Sequence, residues 1–263
     1  MSGRSISSLT NPTVKAVRAL HLRKEREESG LFLAEGLKIV VDAVELGHAP
    51  RVLLFGPDAA GHPLLKRSAE AAVRAGGEVI EVTREVLEKV SRRDNPQAVI
   101  AVFSQLFSPL LSLDSSAASC WVALQAVRDP GNLGTIIRTA DAAGCGGVIL
   151  VGDCCDPYSV EAVRATMGSI FAVKIAKASV DEFLRWRASW PGSVAGTLLS
   201  ATVDYRAAQY RSPTLIGMGN EQAGLSPELA AACDVTVKIP MRGRADSLNL
   251  SVATGIMIYT VTG

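Results

Sequence analysis

Three loop segments in the second half of this chain carry polar groups that could do chemistry. The first runs Asp129-Pro130-Gly131-Asn132-Leu133 and continues through Arg138 to Gly144. The second is Gly217-Met218-Gly219-Asn220-Glu221-Gln222-Ala223-Gly224, and the third runs from Ile239 through Met241, Arg242 and Arg244 to Ser247 and Asn249. Together they offer carboxylates, amides, hydroxyls and guanidinium groups, which can orient a polar substrate and stabilise negative charge as it develops. Glycines around Asn220-Glu221 let backbone approach a ligand closely. This is not the dinucleotide-binding G-x-G-x-x-G, because it comes late in the chain and its spacing is wrong. In the helix of the first segment, the apolar stripe is Leu133, Ile136, Ile137 and Ala140. At about 100° per residue, Arg138 falls roughly 140° from the centre of that stripe and faces away from the core. Solvent or a ligand could take a cation so placed.

Other chemistries are narrowed by what the chain lacks. All three histidines, His21, His48 and His62, lie in the first quarter, so a Ser/His/Asp triad or H-E-x-x-H site within the C-terminal half is excluded. The five cysteines (Cys120, Cys145, Cys154, Cys155, Cys233) are odd in number and form no C-x-x-C pair. That argues against a disulfide framework and against zinc, and no metal is expected. Cys154-Cys155 could be a redox pair, but adjacent cysteines are more often small buried residues. With 27 basic and 26 acidic side chains the net charge is +1, so any basic surface must be local. No stretch approaches the roughly 20 apolar residues that span a bilayer, and Met-Ser-Gly-Arg-Ser-Ile opens without an apolar leader. A soluble cytoplasmic protein with no membrane association is expected.

The elements that must position these loops alternate. In the first region, strands are expected at 31–33, 52–55, 78–82 and 98–102, with helices at 36–47, 64–75 and 85–90 between them. The second region has strands at 121–127, 147–151, 171–175, 193–198, 214–218 and 235–239. Its helices are expected at 132–143, near 159–166, at 180–189, at 227–233 and from Ser247 onward. Ser226 and Ser247 are N-cap candidates, with Pro227 at N1. The fold class is α/β with a mostly parallel sheet covered on both faces, and in such sheets ligands bind beyond the carboxyl ends of the strands. Residues 104–119, rich in Ser and Leu, mark the domain boundary, giving domains 1–105 and 118–263. Residues 1–26 hold six basic side chains (Arg4, Lys15, Arg18, Arg23, Lys24, Arg26) against Glu25, with Asn11-Pro12 as a helix start. That segment reads either as a solvated helix face or as a phosphate-neutralising arm. The last helix is apolar on all sides, which predicts burial, including in a subunit interface.

In this order and spacing, the three segments resemble the three motifs of the SpoU family of RNA ribose 2'-O-methyltransferases, in the SPOUT superfamily. Asn132 and Arg138 match motif one, Asn220-Glu221 with its glycines motif two, and Ser247-x-Asn249 motif three; Met167-Gly168-Ser169 fits between motifs. The resemblance covers about residues 120–263. Asn11-Pro12-x-Val14-Lys15, Phe32-x-x-Glu35-Gly36 and Pro96-Gln97 are similar to the substrate-binding domain, akin to ribosomal protein L30e, that many rRNA-modifying members carry.

The resemblance implies a deep C-terminal trefoil knot, a homodimer and S-adenosylmethionine as methyl donor. The cofactor would be held by Thr197, Leu198, Gly219, Asn220, Ile239, Met241 and Leu248. Arg138, Asn132, Glu221, Ser247 and Asn249 are the implied catalytic set, and RNA is the implied substrate, rRNA ahead of tRNA. An Arg is always protonated in practice, so Arg138 is expected to stabilise an alkoxide rather than act as a base. Two other classes are weighed. A nucleotide-dependent oxidoreductase would need a glycine fingerprint after an early strand, and Gly56-Pro57-Asp58 is not one. An RNA-binding or assembly protein without activity is opposed by the intact Arg138, Glu221, Ser247 and Asn249.

Overall fold

The computed structural model of the chain describes residues 4–263; Met1, Ser2 and Gly3, which open the basic segment, lie outside the described residues. The chain forms two units. One takes the described residues up to Gln105 together with Tyr158–Phe171, and the other takes Leu106–Pro157 and Ala172–Gly263. Residues 106–117, expected as a linker, thus belong to the second unit, and the helix expected near 159–166 belongs to the first.

In the first unit, β1 (Arg4–Ile6) leads into α1 (Pro12–Ala19), α2 (Arg23–Ser29), β2 (Leu31–Glu35) and α3 (Leu37–Glu45). Next come β3 (Val52–Phe55), α4 (Pro63–Arg74), β4 (Glu78–Val82), α5 (Arg84–Ser91) and β5 (Val99–Ser104). The sheet order is β1-β4-β3-β5-β2, with β5 antiparallel to both of its neighbours. Asn11 caps α1 by accepting from Thr13 N–H at 2.9 Å, and Pro12 fills the first turn, where a missing N–H costs nothing. Val14, Val17 and Leu20 are buried among Leu33, Leu54 and Ile80, so the basic segment is a packed pair of helices and not a free arm. Arg26 is itself buried and donates to Leu20 O at 2.7 Å. Arg4, Arg23 and Lys24 face Glu78, Glu27 and Glu28. Lys15 and Arg18 remain exposed, with no ion pair among the described residues.

The chain then builds β6 (Cys120–Gln125), α6 (Pro130–Ala142) and β7 (Val148–Val151) of the second unit before contributing α7 (Val160–Thr166) to the first. A strand is expected at 171–175, but Ser169–Phe171 is a 3-10 turn. Met167 and Gly168 break the chain with φ of 52° and 107°, and the Phe171 ring sits 4.7 Å from Phe103 and 5.7 Å from Phe32. A short apolar run buried in a core looks the same whether it is strand or turn.

Within the first unit, Arg164 Nη2 grips both carboxylate oxygens of Glu35, at 2.8 and 2.7 Å. The Glu35 side chain is only 2% exposed. A buried carboxylate that loses its partner keeps its desolvation cost, about 3–5 kcal/mol. Arg164→Met is therefore expected to destabilise the first unit by about that amount, measured as a lower urea midpoint at unchanged slope.

The second unit resumes with β8 (Ile175–Ala178), α8 (Val180–Arg187), β9 (Val194–Thr197), β10 (Val203–Asp204) and β11 (Thr214–Met218). It ends with α9 (Pro227–Ala231), β12 (Val235–Lys238) and α10 (Leu250–Thr262). Seven strands in the order β10-β12-β9-β11-β6-β7-β8 pair in parallel throughout. Val237 of β12 pairs with Thr197 on one side and with Val203 on the other. Residues 198–202 must therefore cross over one face of β12. Beyond β12, α10 packs on α6, β11 and β6. Its N-cap is Asn249, not Ser247: Asn249 Oδ1 accepts from Ser251 N–H at 2.9 Å and Val252 N–H at 3.3 Å. Within a single chain, this helix, expected to be buried or to enter a subunit interface, leaves Val252 51% and Tyr259 57% exposed. Among the described residues, no helix is long and apolar enough to cross a membrane.

Candidate active site

The carboxyl ends of β6, β9, β11 and β12 carry the loops of interest, and local chemistry fixes each one. Ala126 leaves β6 in a left-handed conformation (φ 52°), and Asp129 then caps α6, its Oδ1 accepting from Asn132 N–H at 2.6 Å. Pro130 follows in the first turn, so the helix starts two residues before its expected Asn132. Asn220 holds the loop after β11. Its Nδ2 donates to Ala126 O at 2.8 Å, its Oδ1 accepts from Gln222 and Ala223 N–H, and its backbone exchanges hydrogen bonds with Gly224. Gly219 is required there, because a Cβ would run into the Gly224 carbonyl carbon and the Leu225 nitrogen. A two-way clamp between the Gln125 amide and Ser226, at 2.9 and 2.8 Å, ties β6 to the cap of α9.

Three loops meet in one hydrogen-bond chain. Glu221 accepts from the backbone N–H of Arg128 and of Asp129, both at 3.3 Å, and from Asn132 Nδ2 at 3.4 Å. Asn132 Oδ1 accepts in turn from Asn249 Nδ2 at 2.9 Å. The carboxylate thus lies at the N-terminus of α6, where unpaired N–H groups and the helix dipole favour negative charge. Both partners fix the Asn132 amide in one orientation, and Asn249 does double duty as the cap of α10.

The chain borders a cavity of about 530 Å³, the size of a cofactor site. Eleven of the twelve residues nominated from sequence line it. Asn132, Glu221, Ser247 and Asn249 form its polar side; Thr197, Leu198, Gly219, Asn220, Ile239, Met241 and Leu248 form the rest. Ser247 Oγ donates to Asp246 Oδ1 at 3.1 Å instead of capping the helix. Arg138 is the exception. It sits six residues beyond Asn132, about 9 Å along α6, exposed and with no hydrogen bond or ion pair among the described residues.

The lining fits S-adenosylmethionine on one direct observation: Thr197 Oγ1 is buried in the wall with no hydrogen-bond partner among the described residues. A polar ligand atom would satisfy it, which the cost of burying a hydroxyl unpaired favours. Leu198, Ile239, Met241 and Leu248 supply apolar wall for a flat heterocycle, and Glu221 offers negative charge to a cation.

Sequence reasoning missed several supports. Asp129-Pro130 is a legible cap signature, but the Gln125–Ser226 clamp joins residues too far apart in the chain to be paired from sequence. The cysteines play no part in this network. All five are free. Burial raises the thiol pKa of Cys154 and pushes Cys155 up to about 12, helped by the neighbouring Cys154 and Glu221, so neither forms a thiolate near neutral pH.

Residues 119–259 match the model of the SpoU rRNA Methylase family, and residues 11–101 match that of the MRM3-like substrate binding domain. The 23S rRNA (guanosine(2553)-2'-O)-methyltransferase RlmP of Bacillus subtilis is 28% identical over 260 residues, covering 99% of this chain and 100% of that one. The 23S rRNA (uridine(2479)-2'-O)-methyltransferase of Streptomyces viridochromogenes is 32% identical, covering 90% and 84%. The crystal structure of an AdoMet-bound rRNA methyltransferase from Sinorhizobium meliloti superposes with a TM-score of 0.92 at 49% identity, covering 98% of this chain and 97% of that one.

Proposed function

Because this chain belongs to the SpoU rRNA methylase family, we propose that it methylates ribose 2'-hydroxyls of ribosomal RNA with S-adenosylmethionine as donor. The observation that carries this reading is the Glu221–Asn132–Asn249 chain along one side of the cavity. When bound, S-adenosylmethionine supplies a methyl group made electrophilic by a positively charged sulfur.

The protein's part is positioning. Thr197, Leu198, Gly219, Asn220, Ile239, Met241 and Leu248 hold the donor, and Asn132, Glu221, Ser247 and Asn249 orient the acceptor ribose. Arg138 places a fixed positive charge against the 2'-oxygen as its negative charge grows, while an RNA phosphate takes the proton. Arg138 points to solvent from α6, and α10, which packs on α6, leaves Val252 and Tyr259 exposed. This favours a homodimer in which a second copy covers α10. The crossing of residues 198–202 over β12 supports a C-terminal trefoil knot. Residues 1–105 serve as the RNA substrate-binding domain and 118–263 as the methyltransferase domain, working in the cytoplasm.

The test is transfer of labelled methyl into unmodified large rRNA, small rRNA and tRNA. Alkali-resistant label in one rRNA is expected. Label confined to tRNA would overturn the reading of the N-terminal domain and leave the chemistry.

Removing residues 1–26 would take Val14 and Val17 out of the core, so charge reversal is the cleaner probe of that surface. Lys15→Glu with Arg18→Glu is expected to weaken RNA binding and flatten its logarithmic salt dependence by about 1 to 2, with the thermal midpoint unchanged. An unaltered slope would return these helices to a solvated face.

A further inference from the structure

The far edge of the parallel sheet holds a second groove. β8 is the last strand, four strand spacings from β9, or about 19 Å at ~4.8 Å each. The chain entering this unit runs along β8: Phe107 bridges Ile175 in parallel, and Ser108 N–H donates to Ile175 O at 2.8 Å. Pro109, Leu110 and Leu111 then form one wall and Trp186 of α8 another, around about 590 Å³. Leu111 is 87% exposed. Trp186 is half-buried, propped by Phe183 and Trp190 at ring separations of 6.1 and 5.2 Å, and its indole N–H has no partner among the described residues.

The charges around the groove are unbalanced. Lys177 and Arg185 border it, and neither has an ion pair among the described residues. Lys177 lies 4.1 Å over the Phe107 ring, and Arg185 Nε donates to Asp181 O at 3.2 Å. Glu182 at the rim offsets part of this charge, since Arg185 acts electrostatically on its carboxylate, which also accepts the backbone N–H and the hydroxyl of Ser179, both at 2.8 Å, in a capping box. An aromatic face beside two cations and a single acid suits an unpaired nucleotide, which brings both a flat base and a phosphate. An apolar peptide would bring no charge to answer the cations.

We propose that this groove binds one single-stranded nucleotide of the RNA, with its base between Trp186 and Leu110–Leu111 and its phosphate on Lys177 and Arg185. The volume suits a ligand of that size. The proposal rests on RNA being the substrate and adds a second grip, several nucleotides from the acceptor ribose, that selects RNA with an unpaired flank.

Tryptophan fluorescence of the full chain, titrated with oligoadenylate, tests it. Quenching is expected in the wild type and its loss in Trp186→Phe, which preserves the packing. Lys177→Glu with Arg185→Glu is expected to weaken binding roughly tenfold and to flatten the salt slope by about 0.7, the value for one single-strand phosphate. S-adenosylmethionine affinity should stay the same in all three. Quenching that persists in Trp186→Phe, or an unchanged affinity and slope in the charge-reversed protein, would overturn the proposal. So would silence toward oligoadenylate with a leucine-rich peptide quenching Trp186 instead. If rRNA methylation survives while the groove fails these tests, only the groove is lost. If the wild type methylates no RNA yet binds oligoadenylate through Trp186, the activity is lost and the groove stands.

Discussion

Replacing Arg138 with alanine is expected to lower the turnover number on the order of 10²–10³-fold while changing S-adenosylmethionine affinity by no more than about twofold. The expectation follows from two placements. Arg138 does not line the cavity, so its loss removes no wall from the proposed donor site. It also has no protein partner among the described residues, so its removal orphans no buried group. On the proposed role, what disappears is a fixed positive charge near developing negative charge, felt in the transition state and not in donor binding. Single-turnover methyl transfer alongside calorimetric titration of the cofactor separates the two effects. Equal loss of both would show that Arg138 supports the donor site, contrary to its proposed role.

The opposite phenotype is expected of Gly219→Ala. A Cβ at that position collides with backbone atoms of Gly224 and Leu225, which have no flexible end to swing away. The turn must open, and with it go the backbone bonds between Asn220 and Gly224 and the placement of Glu221 over the start of α6. We expect cofactor affinity to fall by roughly a hundredfold, about 2.7 kcal/mol. The turn is local, so far-ultraviolet circular dichroism should be unchanged. Donor binding within about threefold of wild type would mean that the loop tolerates the methyl and that the cavity does not depend on its present shape.

Legibility from sequence followed the range of the forces involved. The parallel sheet, most helices and the Ser226-Pro227 start of α9 are set by local periodicity and capping, and the sequence displays those directly. The start of α10 misled because Ser247 and Asn249 are both good caps; the choice of Asn249 goes with its Nδ2 reaching Asn132 on another helix. β1, three residues long, and β10, two residues long, are too short to carry a period. Most cavity residues were legible because three contiguous, ordered motifs carry the family resemblance; Thr197 and Leu198 lie outside those motifs and came from the resemblance alone. The outward direction of Arg138 was legible from the period of α6, whereas the Glu221–Asn132–Asn249 chain and the Gln125–Ser226 clamp exist only once distant loops are brought together. Assignment of Phe171 to the first unit belongs to the same class, since its aromatic neighbours lie far earlier in the chain.

The attachment of Tyr158–Phe171 to the first unit bears on how this protein is made. A domain encoded in one stretch can finish folding as soon as that stretch leaves the ribosome. This one cannot: when residue 105 emerges, Glu35 still lacks Arg164, and Phe32 and Phe103 still lack Phe171. At ~5–20 residues per second the missing piece arrives several seconds later, after β6, α6 and β7 have already been synthesised. The nascent N-terminal half therefore waits with an uncovered aromatic face and an unpaired acid. A fragment cut at residue 105 would hold that unfinished state permanently.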